Sequence, residues 1–217
     1  MAKTSEAPLR CSSCGKTFPV RVYTLINTRT DSELKEKVRD GSLFITECPY
    51  CGAHNIIDAP VIYHDPDGHL MIWMLPDGAL AEEQEKALEA ALTAESPEGY
   101  TLRRVGDVGS LIEKVNIHEA GLDDTVVEMC KYLTRLELSE KNAELAAAGD
   151  VPFKFYRFEG ADNALIFTYP LGGEMKGATV GLSVYEDCRG ILSRNPSVKP
   201  AGGFAEVDAR WLSRFFR

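Results

Sequence analysis

The chain has 217 residues, 44% of them apolar and 26% charged, a composition that excludes a disordered tail protein and predicts one or two packed domains. Its formal charge of -9, from 24 basic against 33 acidic side chains, argues against a strongly basic nucleic-acid binder. No run approaches the roughly 18 apolar residues that span a bilayer, and the opening MAKTSEAPLR has no apolar signal core, so a cytoplasmic location is expected.

Residues 1–10 read as a tail. Cys11-Ser12-Ser13-Cys14-Gly15 forms a turn that leads into Val20, Val22, Thr24 and Ile26, whose alternation predicts a strand. Asp31 or Ser32 then caps a short helix with apolar Leu34 and Val38, stopped at Gly41. SLFITECPYCGAHNII reads as strand, turn, strand, and VIYHDPDGHLMIWMLP as a hairpin across Pro66-Asp67-Gly68. ALAEEQEKALEAAL places Leu80, Ala87, Leu88, Ala91 and Leu92 on one helical face, and Pro97 and Gly99 end it.

TLRRV follows as a strand and SLIEKV as a short helix. Asp123 or Asp124 caps a longer helix, with Thr125 and Glu128 as a capping-box alternative. Its expected buried face is Leu122, Val126, Met129, Cys130, Leu133 and Leu136. Beyond Gly149, VPFKFYRFEGADNALIFTYPL is a hairpin turning near residues 160–163. VGLSVYEDCRGIL is a helix on Val180, Val184, Cys188 and Ile191, and DARWLSRFFR is a closing helix with Trp211 and Phe215 on one side. Residues 79–150 hold 7 basic against 16 acidic side chains and so carry the net charge, on what read as solvated helix surfaces.

Four of the six cysteines form two like pairs, Cys11 with Cys14 and Cys48 with Cys51, separated by 33 residues. Two residues between cysteines let one tight turn aim both sulfurs at a single ion, and two such turns complete a tetrahedron. Gly15 and Gly52 each follow the second cysteine, where the turn calls for positive φ. The long separation is absorbed by the helix on Leu34 and Val38. One zinc ion is the expected cofactor, and iron is the alternative because four sulfurs suit either metal. A disulfide is disfavoured in a reducing compartment. A thiol redox pair normally lies in a βαβ unit, which this segment lacks. Four protein ligands leave no open position, so the metal is expected to be structural.

The same segment resembles the CpXC domain family of bacterial and archaeal proteins. The matching pieces are CSSCG, SELKEKVRDGSLF before CPYCG, the VIYHDP turn and LIEKVNIHEAGLDD, over residues 10–135. Ser12 stands where the family has proline, a change that should leave sulfur ligation intact. The resemblance implies a zinc-ribbon-like fold and no established activity. It is weaker over residues 150–217, where it rests on a strand and an aromatic helix around VDARW.

Other residues have simpler readings. His54, three residues after Cys51, reads as a loop histidine before a ligand that replaces a cysteine. His64, Asp65 and His69 are turn chemistry, with a second metal site as the sharper alternative. Asp123-Asp124 is a cap more readily than a catalytic carboxylate pair. Cys130 and Cys188 are buried apolar residues; only His118 offers either of them a base. Trp211, Phe215 and Phe216, with Arg210, Arg214 and Arg217, read as a docked helix before a partner-binding or membrane-surface one.

The sequence therefore predicts an α+β protein: a zinc-ribbon-like antiparallel β module with inserted and following helices over 11–148, and a smaller C-terminal α+β region over 149–217. The expected role is protein–protein interaction, with no catalytic residue assigned. One alternative is nucleic-acid association through Arg10, Lys16 and Arg21; a thiol redox enzyme or a hydrolase at the His64 turn is another.

Overall fold

Phe18, Val20 and Val22 point inward between exposed Pro19 and Arg21, the period-two pattern that makes Thr17–Asn27 a strand. A computed structural model describes residues 2–216 and bears out the α+β class. Two compact units emerge, Met1–Ile112 with Gly202–Ala205, and Glu113–Ala201 with Glu206–Arg217.

In the first unit, β1 (Lys3–Arg10) and β2 (Thr17–Asn27) form an antiparallel pair. Lys3–Arg10, which reads as a tail, is thus an edge strand. Helix α1 (Ser32–Arg39) buries Leu34 and Val38, and Gly41 follows at φ 79°. A 3-10 turn (Ser42–Phe44) leads to a separate two-stranded ribbon, β3 (Ile45–Glu47) with β4 (His54–Ile56). The main sheet resumes with β5 (Val61–Asp65), β6 (Leu70–Met74) and, later, β7 (Thr101–Val105). Its order is β1-β2-β5-β6-β7, with β2–β5 and β6–β7 parallel and the other pairs antiparallel. The crossover from β2 to the parallel β5 carries α1 and the ribbon, so the strand–helix–strand connection expected above to be absent is present.

Helix α2 (Glu82–Glu95) forms where expected but buries a different face. Leu80 and Leu92 pack against Trp73, Leu75 and Phe204, whereas Ala87, Leu88 and Ala91 are exposed. Glu85 faces inward as well: it pairs with Arg104, whose guanidinium also lies over the Trp73 ring. The side of α2 that carries Glu85 and Leu92 is thus the inward one, and Ala87, Leu88 and Ala91 turn to solvent.

Helix α3 (Val108–Glu119) is longer than its SLIEKV signal. The second unit is a three-stranded antiparallel sheet in the order β10-β9-β8, flanked by helices. Its strands are β8 (Lys154–Glu159), β9 (Ala164–Leu171) and β10 (Glu174–Gly181). Helices α4 (Asp124–Lys141), α5 (Ala143–Ala147), α6 (Leu182–Ser193) and α7 (Ala209–Leu212) complete it. Strand β10 and helix α5 gave no sequence signal; Val180, assigned above to a helix, lies in β10. Consequently α6 faces inward through Tyr185, Cys188 and Leu192.

The largest departure is in α4. Val126, Met129 and Cys130 are buried as expected, but Leu133 is only half-buried and Leu136 is 44% exposed. Asp124, Glu128 and Lys131 are buried instead. Their charges are matched: Lys131 pairs with Glu113 at 2.9 Å and Glu128 at 2.6 Å, and Lys114 pairs with Asp124 at 2.7 Å. Among the described residues, no helix is long and apolar enough to cross a membrane.

Candidate metal centre

The tip of the β1–β2 hairpin and the tip of the β3–β4 ribbon are built alike. In the first, the Cys11 N–H donates to the Lys16 carbonyl at 2.9 Å and the Gly15 N–H to the Cys11 carbonyl at 3.0 Å. In the second, Cys48 donates to Ala53 and Gly52 to Cys48, both at 2.9 Å. Gly15 and Gly52 hold φ of 72° and 73°, the left-handed conformation that ends each turn. Each tip thus presents one buried sulfur, Cys11 or Cys48, and one exposed sulfur, Cys14 or Cys51.

The four Sγ atoms lie within 4.8 Å of one another. Cys11 is 3.7 Å from Cys51, and Cys14 is 3.7 Å from Cys48. A tetrahedron of metal–sulfur bonds of 2.3 Å has an edge of about 3.8 Å, whereas a disulfide needs about 2.05 Å. All four thiols are free. The set is soft and close enough to hold one metal ion. Buried Cys11 and Cys48 also pack with Phe18, Val20 and Val22, so the centre sits on its own small core.

Electrostatics favour the thiolate at Cys11. The Cys14 backbone N–H, 3.5 Å from the Cys11 sulfur, is the main cause that lowers the Cys11 thiol to about 6. Cys51 is opposite: the Ala53 N–H favours its thiolate, but desolvation and the neighbouring thiols push it up to about 11. Lys16 lies 4.8 Å from the centre of the Tyr50 ring and Arg10 donates to the Gly15 carbonyl, which puts two cations on the turns that carry the thiols.

One residue of the centre has no signature in the sequence. Asn55 on β4, 6% exposed, sends its side chain to both tips. An isolated asparagine in a short ribbon reads as a surface residue, and only the pairing of the two tips buries it.

The family model described as CpXC protein matches residues 9–131. The chain belongs to the CpXC family. No curated protein and no solved structure matches it. The matched span contains both cysteine pairs and Asn55.

The remaining candidates in this CpXC chain lie elsewhere. Among the described residues, the four cysteines are the one group of three or more metal-type side chains close enough to hold an ion. His54 is exposed on β4, opposite Glu47. Buried Asp65 accepts from Lys35 and Thr28, both at 2.9 Å, rather than joining His64 and His69 on a metal. The two imidazoles instead flank Tyr100, each ring centre 5.5 Å from its own. Asp123 caps α4 through the Thr125 N–H at 2.8 Å, and Asp124 is engaged by Lys114. Cys130 and Cys188 are fully buried, and Trp211 is docked.

Proposed function

We propose that Cys11, Cys14, Cys48 and Cys51 bind one zinc ion whose role is structural, making the two tips a zinc-ribbon-like module. The convergence of four sulfurs within 4.8 Å of one another, with two pairs at 3.7 Å, carries this reading. Four thiolates fill the coordination sphere and leave no position for water or substrate, so the ion ties the two hairpins together. Thiolate ligation also fits a reducing compartment such as the cytoplasm. Metal analysis of the purified protein, with thermal unfolding of Cys48→Ser, tests the proposal. One zinc per chain and a lower melting temperature in the variant are expected; unchanged metal content and stability defeat it. Iron in the analysis would replace the ion and keep the geometry.

The module acts by protein–protein interaction in this proposal. Support comes from the outer face of the β3–β4 ribbon, where Ile45 and Ile56 stand directly opposite each other, 52% and 65% exposed. The nucleic-acid alternative is weaker. Zinc with four thiolates carries a net charge of about -2, and Arg10 and Lys16 lie where they offset it. Arg21 faces Glu6 across the β1–β2 pair. Salt-dependent binding of a single-stranded oligonucleotide would reverse this ranking.

A further inference from the structure

We propose that Ser12 and Asn55 form a clasp that sets the position of the Cys11 sulfur and controls how fast the centre releases its metal. The inference rests on the metal reading above. Asn55 Oδ1 accepts the Ser12 N–H at 2.9 Å and the Ser12 hydroxyl at 3.2 Å. Asn55 Nδ2 donates to the Ala53 carbonyl at 2.9 Å and to the Cys11 sulfur at 3.6 Å. One amide therefore joins the first tip, at Ser12 and Cys11, to the second, at Ala53. All four of its contacts agree with a single orientation of the amide, because each oxygen contact is to a donor and the carbonyl needs the nitrogen.

The two tips share their backbone hydrogen bonds, so they serve as controls for each other. Pro49 occupies in the second tip the place that Ser12 occupies in the first, one residue after the leading cysteine. Proline has no N–H, so the second tip has no donor to offer at that position. The clasp is thus one-sided: it exists because residue 12 has an amide hydrogen and because Asn55 is buried against it. With the Cys14 N–H, the Asn55 amide gives the Cys11 sulfur two donors, which disperse thiolate charge and fix its direction. Asn55 and Ser12 are positioning residues; the sulfurs do the ligation.

The test measures zinc transfer from the full chain to a chromogenic chelator, together with the sulfur-to-metal charge-transfer band of the cobalt-substituted protein. Asn55→Leu is expected to speed release by roughly 10- to 100-fold, the usual reach of such outer-shell partners, and to shift the cobalt band. Ser12→Pro imitates the second tip and should reproduce most of that increase. Ser12→Ala keeps the N–H and should stay near wild type. The split between proline and alanine identifies the N–H contact even if Asn55→Leu folds poorly. Wild-type protein that holds one metal, with Asn55→Leu and Ser12→Pro releasing it no faster, overturns the clasp alone. Wild-type protein that holds no metal overturns the metal reading, and the clasp's role falls with it.

Discussion

Lys131 donates to Glu113 across 2.9 Å inside the second unit, where the two side chains are 8% and 4% exposed. The same Nζ lies 2.6 Å from Glu128, while Glu113 also accepts the Phe155 N–H at 2.7 Å. Burial opposes ionisation of Glu113, but Lys131, Lys154 and Lys114 outweigh it and hold its carboxyl below the usual range. Burial raises Glu128. The cation is thus shared between two acids with unequal claims on it, and it ties α4 to α3 and to the start of β8.

Removing that cation leaves two carboxylates in an apolar setting. Lys131→Met is expected to cost about 3–5 kcal/mol, read as a lower urea midpoint by circular dichroism. Adding Glu128→Gln should recover part of the loss by removing one unpaired charge. A single variant as stable as wild type contradicts the shared-cation account.

His64 is expected to make the first unit sensitive to mild acid. The Arg29 N–H donates to Asn27 Oδ1 at 3.1 Å, which turns Asn27 Nδ2 toward His64 Nδ1 at 3.5 Å. Nδ1 is therefore the acceptor, and Nε2–H faces the Tyr100 hydroxyl at 3.3 Å. Desolvation, helped by Arg29 and opposed by Asp65, lowers the His64 pKa below its ordinary 6.5. Between 6.5 and that lower folded value the unfolded chain binds the proton and the folded chain does not. Stability is therefore complete above the window and falls as pH drops through it. His64→Gln should flatten this limb in melting curves taken across the range; an identical limb in the variant removes His64 as its cause.

Thiol labelling should follow access. In metal-stripped native protein, iodoacetamide is expected to reach exposed Cys14 before Cys48, which is 1% exposed. Cys130 and Cys188, both 0% exposed, should take label only on unfolding. Zinc should slow labelling of Cys14. Peptide mass mapping after short exposures reads the order, and early label on Cys188 would show that the second unit opens locally.

The turn glycines offer a backbone test. Gly52 sits at φ 73°, with Glu47 Oε1 at 3.6 Å as the nearest atom to an added Cβ, so space is adequate and conformation is the cost. Gly52→Ala should lower stability by about 1 kcal/mol. Gly160→Ala, at a position with open space and no positive φ, should be neutral in the same calorimetric comparison.

Sequence periodicity alone was enough for much of this chain. The alternation of Phe18, Val20 and Val22, the Pro66-Asp67-Gly68 hairpin and the paired Cys-x-x-Cys-Gly turns are local patterns, and local sterics decide them. Such patterns say which side chains share a face, but not what that face will meet. The inward side of α2 meets Arg104, the buried charges of α4 depended on partners from α3, and the edge strand β1 on β2 to pair with. Asn55 is the clearest case: 44 residues separate it from Cys11, and its amide acquires meaning only once two hairpin tips are brought to hydrogen-bond distance. Hydrogen bonds and ion pairs between distant segments are settled by desolvation and geometry at the contact, which tertiary packing creates and a linear pattern does not encode.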